Sequence, residues 1–213
     1  GSATPLCSKE EQLKLHSGVG RISTLIMRPM SLYESLDSNG SISLASLFNS
    51  EKVSPAFCDK TLVDYAFLAC RGGWPKSIGL SEKISIEVVK NYYDGLINND
   101  IKSVDNVSRD VDKVKAFMRS YARNVSTECS VETIVSDIKG FDNKNISDET
   151  IKSYIKAFER LYVIEDLNAW SPNLRSKTTI RTSPTRHFID PSIACRALGA
   201  YKEDLINDLK TFG

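Results

Sequence analysis

The residues best suited to chemistry in this chain are basic and regularly spaced. Lys152, Lys156 and Arg160 recur every four residues, which on a helix lines them up as one stripe. Downstream, no Asp or Glu occurs from Leu167 to Ile189, while Arg175, Lys177, Arg181 and Arg186 contribute four positive charges. A basic helix stripe beside a basic loop is what phosphate contacts on a DNA duplex need, because counterion release supplies most of the non-specific affinity. The competing reading is ordinary. Asp148, Glu149 and Glu159 lie on the same helix, so the stripe also reads as a solvated face, a protein contact or a packing surface.

Other chemistries find little support. His16 and His187 have no partner at a spacing that suggests nucleophilic catalysis, and no G-x-S-x-G elbow occurs. Glu165 and Asp166 would point to opposite faces of a strand, which argues against a shared carboxylate site. Cys7, Cys58, Cys70, Cys129 and Cys195 are odd in number, widely spread and without a CxxC pair. A zinc site or a disulfide framework is therefore not expected, and buried free thiols in a cytoplasmic protein are. No metal is expected.

Composition sets the remaining bounds. At 213 residues, 41% apolar and 26% charged, the chain has the make-up of one large or two small globular domains. A net charge of +1 gives no global attraction to nucleic acid or membrane, so any such partner must meet a local patch. No run approaches the roughly 18 apolar residues that a spanning helix needs.

The elements that must position the basic residues can be read from periodicity. The run Ile22 to Met27, closed by Pro29, reads as a strand buried on both faces. It has no second strand nearby, and a lone strand leaves both edges open, so its sheet neighbours are expected upstream of Gly1. The opposing possibility is that Gly1-Ser2 is a cloning remnant and the strand pairs elsewhere. A short helix over about 42–49 follows. Leu62, Tyr65, Ala66 and Ala69 then predict a helix over 61–71, ended by Gly72-Gly73-Trp74-Pro75. Ile84, Val88, Tyr92 and Leu96 fall on one stripe of a helix over about 81–98, and 98–106 reads as a joint.

The pattern then changes. A helix over 111–125 carries Val114, Phe117, Met118 and Tyr121 on one face. Ser130 can cap a second helix that Gly140 stops, and Ser147 can cap a third with Ile151, Tyr154, Ile155 and Phe158 along its apolar side. Strand-like segments at 163–167 and 187–189 flank a Ser/Pro/Thr-rich loop, and Asp190-Pro191 opens a further helix. Three helices followed by a two-stranded hairpin with a long tip is the element order of a winged helix.

Several of these stretches resemble a large prokaryotic family of AAA-type P-loop ATPases, in which a domain of unknown function follows the ATPase core. The matching motifs are Gly1-Ser2, Gly20-Arg21, Pro29-Met30-Ser31-Leu32-Tyr33-Glu34, Gly72-Gly73-Trp74-Pro75, Trp170 to Lys177, Arg186 to Ser192 and Leu209 to Gly213. The resemblance implies a mostly α fold with small β content, in three parts. Residues 1–34 would be the last α/β element of an ATPase core, 35–105 a helical lid, and 106–213 a winged helix with C-terminal helices. It also implies ATP and Mg in the parent protein, with Ser2 near the γ-phosphate and Arg21 or Arg71 sensing it. Ser2 as a helix cap, Arg21 as a strand-end charge and Arg71 as a last-turn cation are the plainer alternatives.

The sequence departs from that family in containing no G-x-x-x-x-G-K-[ST] loop. The acidic strand end that holds magnesium and the restriction-endonuclease-like domain that follows in the family are also missing. The expectation is thus a non-catalytic part of an ATPase that binds no nucleotide by itself. Its partners would be the upstream core and, through the winged helix, double-stranded DNA or a protein, with no membrane. The alternative is a free-standing winged-helix DNA-binding regulator.

Overall fold

The structure, a computed structural model, describes residues 25–52, 55–105, 107–170 and 183–212. Within them the chain is mostly helical, and β structure is confined to isolated bridges. Helices α1 (Leu44–Phe48), α2 (Leu62–Arg71) and α3 (Glu82–Gly95) come first. After them α4 (Val111–Arg123), α5 (Val131–Asp142) and α6 (Asp148–Arg160) form a three-helix group. The chain closes with α7 (Pro191–Leu198), α8 (Lys202–Asn207) and α9 (Leu209–Phe212).

Side-chain caps explain most of the starts. Ser43, Thr61, Asp110, Ser130, Ser147 and Asp190 each accept a backbone N–H from the first turn of the helix they open, satisfying donors that have no partner within the helix. Thr61 and Asp64 complete a reciprocal capping box. Gly199 closes α7 at φ +70°, a left-handed conformation that glycine adopts without strain.

The expected boundaries shift in three places. Gly140 does not stop α5, which runs to Asp142 and ends on Asn143 at φ +49°; asparagine tolerates that conformation and serves as the cap. The stretch read as a joint, 98–106, continues α3 through a π-helical turn (Leu96–Asp100) and a last helical turn (Ile101–Ser103). It does so because Leu96, Ile97, Ile101 and Val104 are all buried. The extra residue of a π-turn rotates the apolar face, and Ser85, Val89 and Tyr93 rather than Ile84 form the buried line of α3. At the amino end, Ile22 to Thr24 lie outside the described residues, and Leu25, Ile26 and Met27 are exposed and in no strand. No neighbouring strand is offered to them among the described residues, so the expected two-sided burial does not occur.

The core lies among α3, α4, α5, α6 and α7. Phe117 is at its centre, with ring centroids 5.5, 5.6 and 5.7 Å from Tyr121, Tyr154 and Phe158. The stripe read from sequence on α4 is wholly buried. Beside it, residues 163–167 and 185–189 run antiparallel, with Glu165 N donating to His187 O at 3.0 Å and Leu167 N to Thr185 O at 2.9 Å. The segment after α4 joins them through Ser126 N to Arg186 O at 2.8 Å. A smaller apolar cluster, built on Ala66, Cys70, Cys195 and Leu205, packs α2 against α7 and α8.

Candidate functional site

Three stretches far apart in sequence meet at one junction. Gly73 follows α2, and its carbonyl accepts the Met30 N–H at 2.7 Å. Its own N–H donates to Asp190 Oδ2 at 2.8 Å. The other carboxylate oxygen of Asp190 caps α7, accepting Ser192 N at 2.9 Å and Ser192 Oγ at 2.5 Å. Ser192 Oγ in turn accepts the Trp74 indole N–H at 2.9 Å. The two glycines make this possible by lacking side chains. A Cβ on Gly72, at φ +68°, would sit 2.2 Å from Asp190 Oδ1, and one on Gly73 would sit 2.1 Å from Met30 O. Pro29, Ser31, Leu68 and Ile189 border a cleft of about 210 Å³ beside the contact.

Two ion pairs hold the same amino-terminal segment. Arg28 pairs with Glu165 on the antiparallel ribbon, its Nε donating to Oε2 at 3.0 Å. Arg71 is buried and donates to Asp37 Oδ2 at 2.7 Å and to Gly72 O at 3.1 Å. Burial pushes the Asp37 carboxyl up, but hydrogen bonds from Arg71 and Ser35 outweigh it and hold the group below its usual range. Arg71 is thus a brace between 35–37 and α2.

That placement bears on nucleotide. Ser2 and Arg21 lie outside the described residues, and the buried Arg71 is committed to Asp37. Among the described residues no group of three or more His, Cys, Asp or Glu is placed to hold a metal ion. Arg71 is thus engaged within the fold rather than turned toward a phosphate.

The basic residues separate into two sets. Lys152 and Lys156 are exposed on α6, with half-buried Arg160 one turn on. They line one shallow concavity of about 420 Å³ together with Asp105, Glu149 and Ser153. Arg186 does not join them. It is 5% exposed, its Nε donates to Cys129 O at 2.9 Å, and it pairs with Asp166, which also accepts the Tyr121 hydroxyl. Burial first, then that hydrogen bond, pushes the Tyr121 phenol far above its usual range. Arg186 turns inward because a buried carboxylate lies across the ribbon from it, and neither charge is tolerated alone. Asp166 and Glu165 take opposite faces, as alternation along an extended chain requires. Arg175, Lys177 and Arg181 lie outside the described residues.

A family model described as a domain of unknown function (DUF8612) matches residues 62–204. The chain belongs to that family. No curated protein and no solved structure matches the chain. The DUF8612 match begins at α2 and ends within α8, so it contains Gly72, Gly73, Asp190 and the α6 stripe. Met30, Arg28 and Asp37, which dock onto that region, lie before it.

Sequence reasoning placed Asp190 as a helix cap but not as the acceptor for Gly73, 117 positions away. Met30, Asp37, Asp166 and Ser192 were not singled out as site residues. The Gly-Gly pair was the available signal, since adjacent glycines mark close backbone approach as well as a helix end.

Proposed function

We propose that this chain relays the position of an AAA-type ATPase core to a winged-helix interaction module. The observation that carries the reading is the contrast within the amino-terminal segment. Its backbone and charges are fastened to the helical body at Met30–Gly73, Arg28–Glu165 and Asp37–Arg71. Its apolar side chains instead face outward: Leu25, Met27, Leu36, Leu44, Phe48 and Phe57 are each more than 70% exposed. Large apolar side chains left exposed through one segment are what a covering body would bury. The order of α4, the 125–128 segment, α5, α6 and the ribbon at 163–167 and 185–189 supports the winged-helix half of the reading. The resemblance supplies the ATPase core as the covering body.

The junction is where displacement would pass, because Gly73 touches Met30 on one side and Asp190, the start of α7, on the other. The test uses the protein expressed from its complete reading frame, with and without Mg-ATP, read by amide hydrogen exchange. Nucleotide is expected to change exchange at both 28–37 and 190–198. Gly73→Ala, whose Cβ collides with the Met30 backbone, is expected to keep the first response and lose the second. Exchange indifferent to nucleotide in both segments refutes the relay.

The exposed Lys152 and Lys156 favour a second reading, in which α6 meets the phosphates of a DNA duplex. Two phosphate contacts give a slope of about −1.8 in log K against log salt. Lys152→Glu with Lys156→Glu should abolish most of that slope, and no binding at low salt rejects the reading.

A further inference from the structure

Cys70 on α2 and Cys195 on α7 belong to the same small apolar cluster and are both free thiols, 4% and 8% exposed. Both line one narrow space with Ile86, Val89 and Ser192. Cys195 also borders a second, larger cavity of about 340 Å³, walled by Ala122, Val125, Phe188, Leu198 and Phe212, with His187 at its edge. Cys195 therefore borders both spaces, and Cys70 lines only the narrow one. That is the placement of an attacking and a resolving thiol. The neighbouring Cys70 thiol holds the Cys195 thiol below its usual range, while Cys195 and burial hold Cys70 above. Cys129 is buried with its Sγ on the Ser130 carbonyl, and Cys58 is exposed with its Sγ 3.1 Å from the Tyr65 hydroxyl. Neither shares a cluster with another described cysteine.

We propose that Cys195 and Cys70 are a hydroperoxide-oxidisable pair whose disulfide staples α2 to α7. The Cys195 thiolate attacks the O–O bond of the hydroperoxide and becomes a sulfenic acid, releasing hydroxide or alkoxide that takes up a proton. The Cys70 sulfur then displaces the sulfenic oxygen as water, losing its own proton, and the S–S bond forms. Two thiols are oxidised, one hydroperoxide is reduced, and the products are a disulfide, water and water or an alcohol. The staple brackets the junction, since Cys70 precedes Gly72 and Cys195 follows Asp190. The pair is independent of the proposed relay, and its chemistry stands or falls without it.

The test treats the folded protein, with Cys7→Ser and Cys58→Ser in place, with hydrogen peroxide. Non-reducing peptide mapping should find Cys70 linked to Cys195 and two thiols lost per chain, with Cys129 still alkylatable. In a Cys70→Ser variant, dimedone should trap a sulfenic acid on Cys195 that does not resolve. A sulfenic acid found first on Cys70, oxidation of Cys129 at the same rate, or two unlinked oxidised cysteines would overturn the proposal. The peptide map requires no substitution within the cluster, so the outcome does not hang on how a Cys70 or Cys195 variant folds.

Discussion

Asp190→Ala is the substitution that most directly weighs the junction. Asp190 is 2% exposed and accepts three hydrogen bonds, from Gly73 N, Ser192 N and Ser192 Oγ. Truncation removes the cap of α7, worth about 1 kcal/mol. It also leaves the buried Gly73 N–H without its acceptor, which costs about 2 kcal/mol. The expected loss is about 3 kcal/mol, or roughly 9 °C in Tm at about 3 °C per kcal/mol for a chain of this size. Urea unfolding followed by Trp74 fluorescence reads it at the site, since that indole is bonded to Ser192. Ser147→Ala provides the control: that residue caps α6 by accepting the Thr150 N–H and, among the described residues, its side chain bonds nothing beyond the first turn, so about 1 kcal/mol should be lost. If Asp190→Ala costs no more than Ser147→Ala, the Gly73 contact contributes nothing and the reasoning fails.

Two further predictions concern the charged interior. Arg186→Met strands Asp166, whose side chain is 9% exposed, and should lower stability by about 3–5 kcal/mol in urea. Adding Asp166→Asn should recover part of that, because the amide oxygen still accepts the Tyr121 hydroxyl; no recovery would show that the pair is not what Arg186→Met breaks. Hydrogen bonds from Arg109 hold the Asp105 carboxyl below its ordinary 3.8. A carboxyl lowered on folding stabilises above its unfolded value and loses that contribution as pH falls through the folded one. The urea midpoint should therefore drop below about pH 4 more steeply in the wild type than in Asp105→Asn, and identical profiles would exclude the linkage.

Much of the helical framework was legible in the sequence, because it is decided locally. Ser130, Ser147 and Asp190 announce helix starts through a side-chain oxygen two or three residues from the N–H it accepts. The 3, 4, 7 spacing of Ile151, Tyr154, Ile155 and Phe158 names the buried side of α6, and all are buried. What escaped depends on partners far along the chain. Arg71 reads as a phosphate sensor or last-turn cation, and Arg186 as a phosphate contact of the basic loop, because nothing nearby in sequence reveals Asp37, 34 positions away, or Asp166, 20 positions away. Gly140 reads as a stop, but a glycine costs only about 1 kcal/mol inside a helix. Burial of Ile134 and Ile138 on the same helix outweighs that. The joint at 98–106 misled for a related reason. Its run of Asn and Asp hides Ile97, Ile101 and Val104, whose burial keeps the chain helical through a π-turn.

The buried apolar clusters follow the limits of the family match. The two apolar clusters draw every buried member from residues 66–205, although Phe141 and Trp170 stay 77% and 83% exposed. Before Leu62 no apolar side chain is buried among the described residues. Helix α1 opens on a capped Ser43, yet none of its five residues is buried, and Leu44 and Phe48 are 73% and 86% exposed. A helix of that length has no stability from propensity alone, so its apolar residues gain only when something packs on them. The fastenings at Met30, Arg28 and Asp37 are hydrogen bonds and ion pairs; they fix where the segment sits without burying its side chains. Under the proposed relay, a body covering these apolar residues would act on Gly73 and the cap of α7 through the Met30 contact.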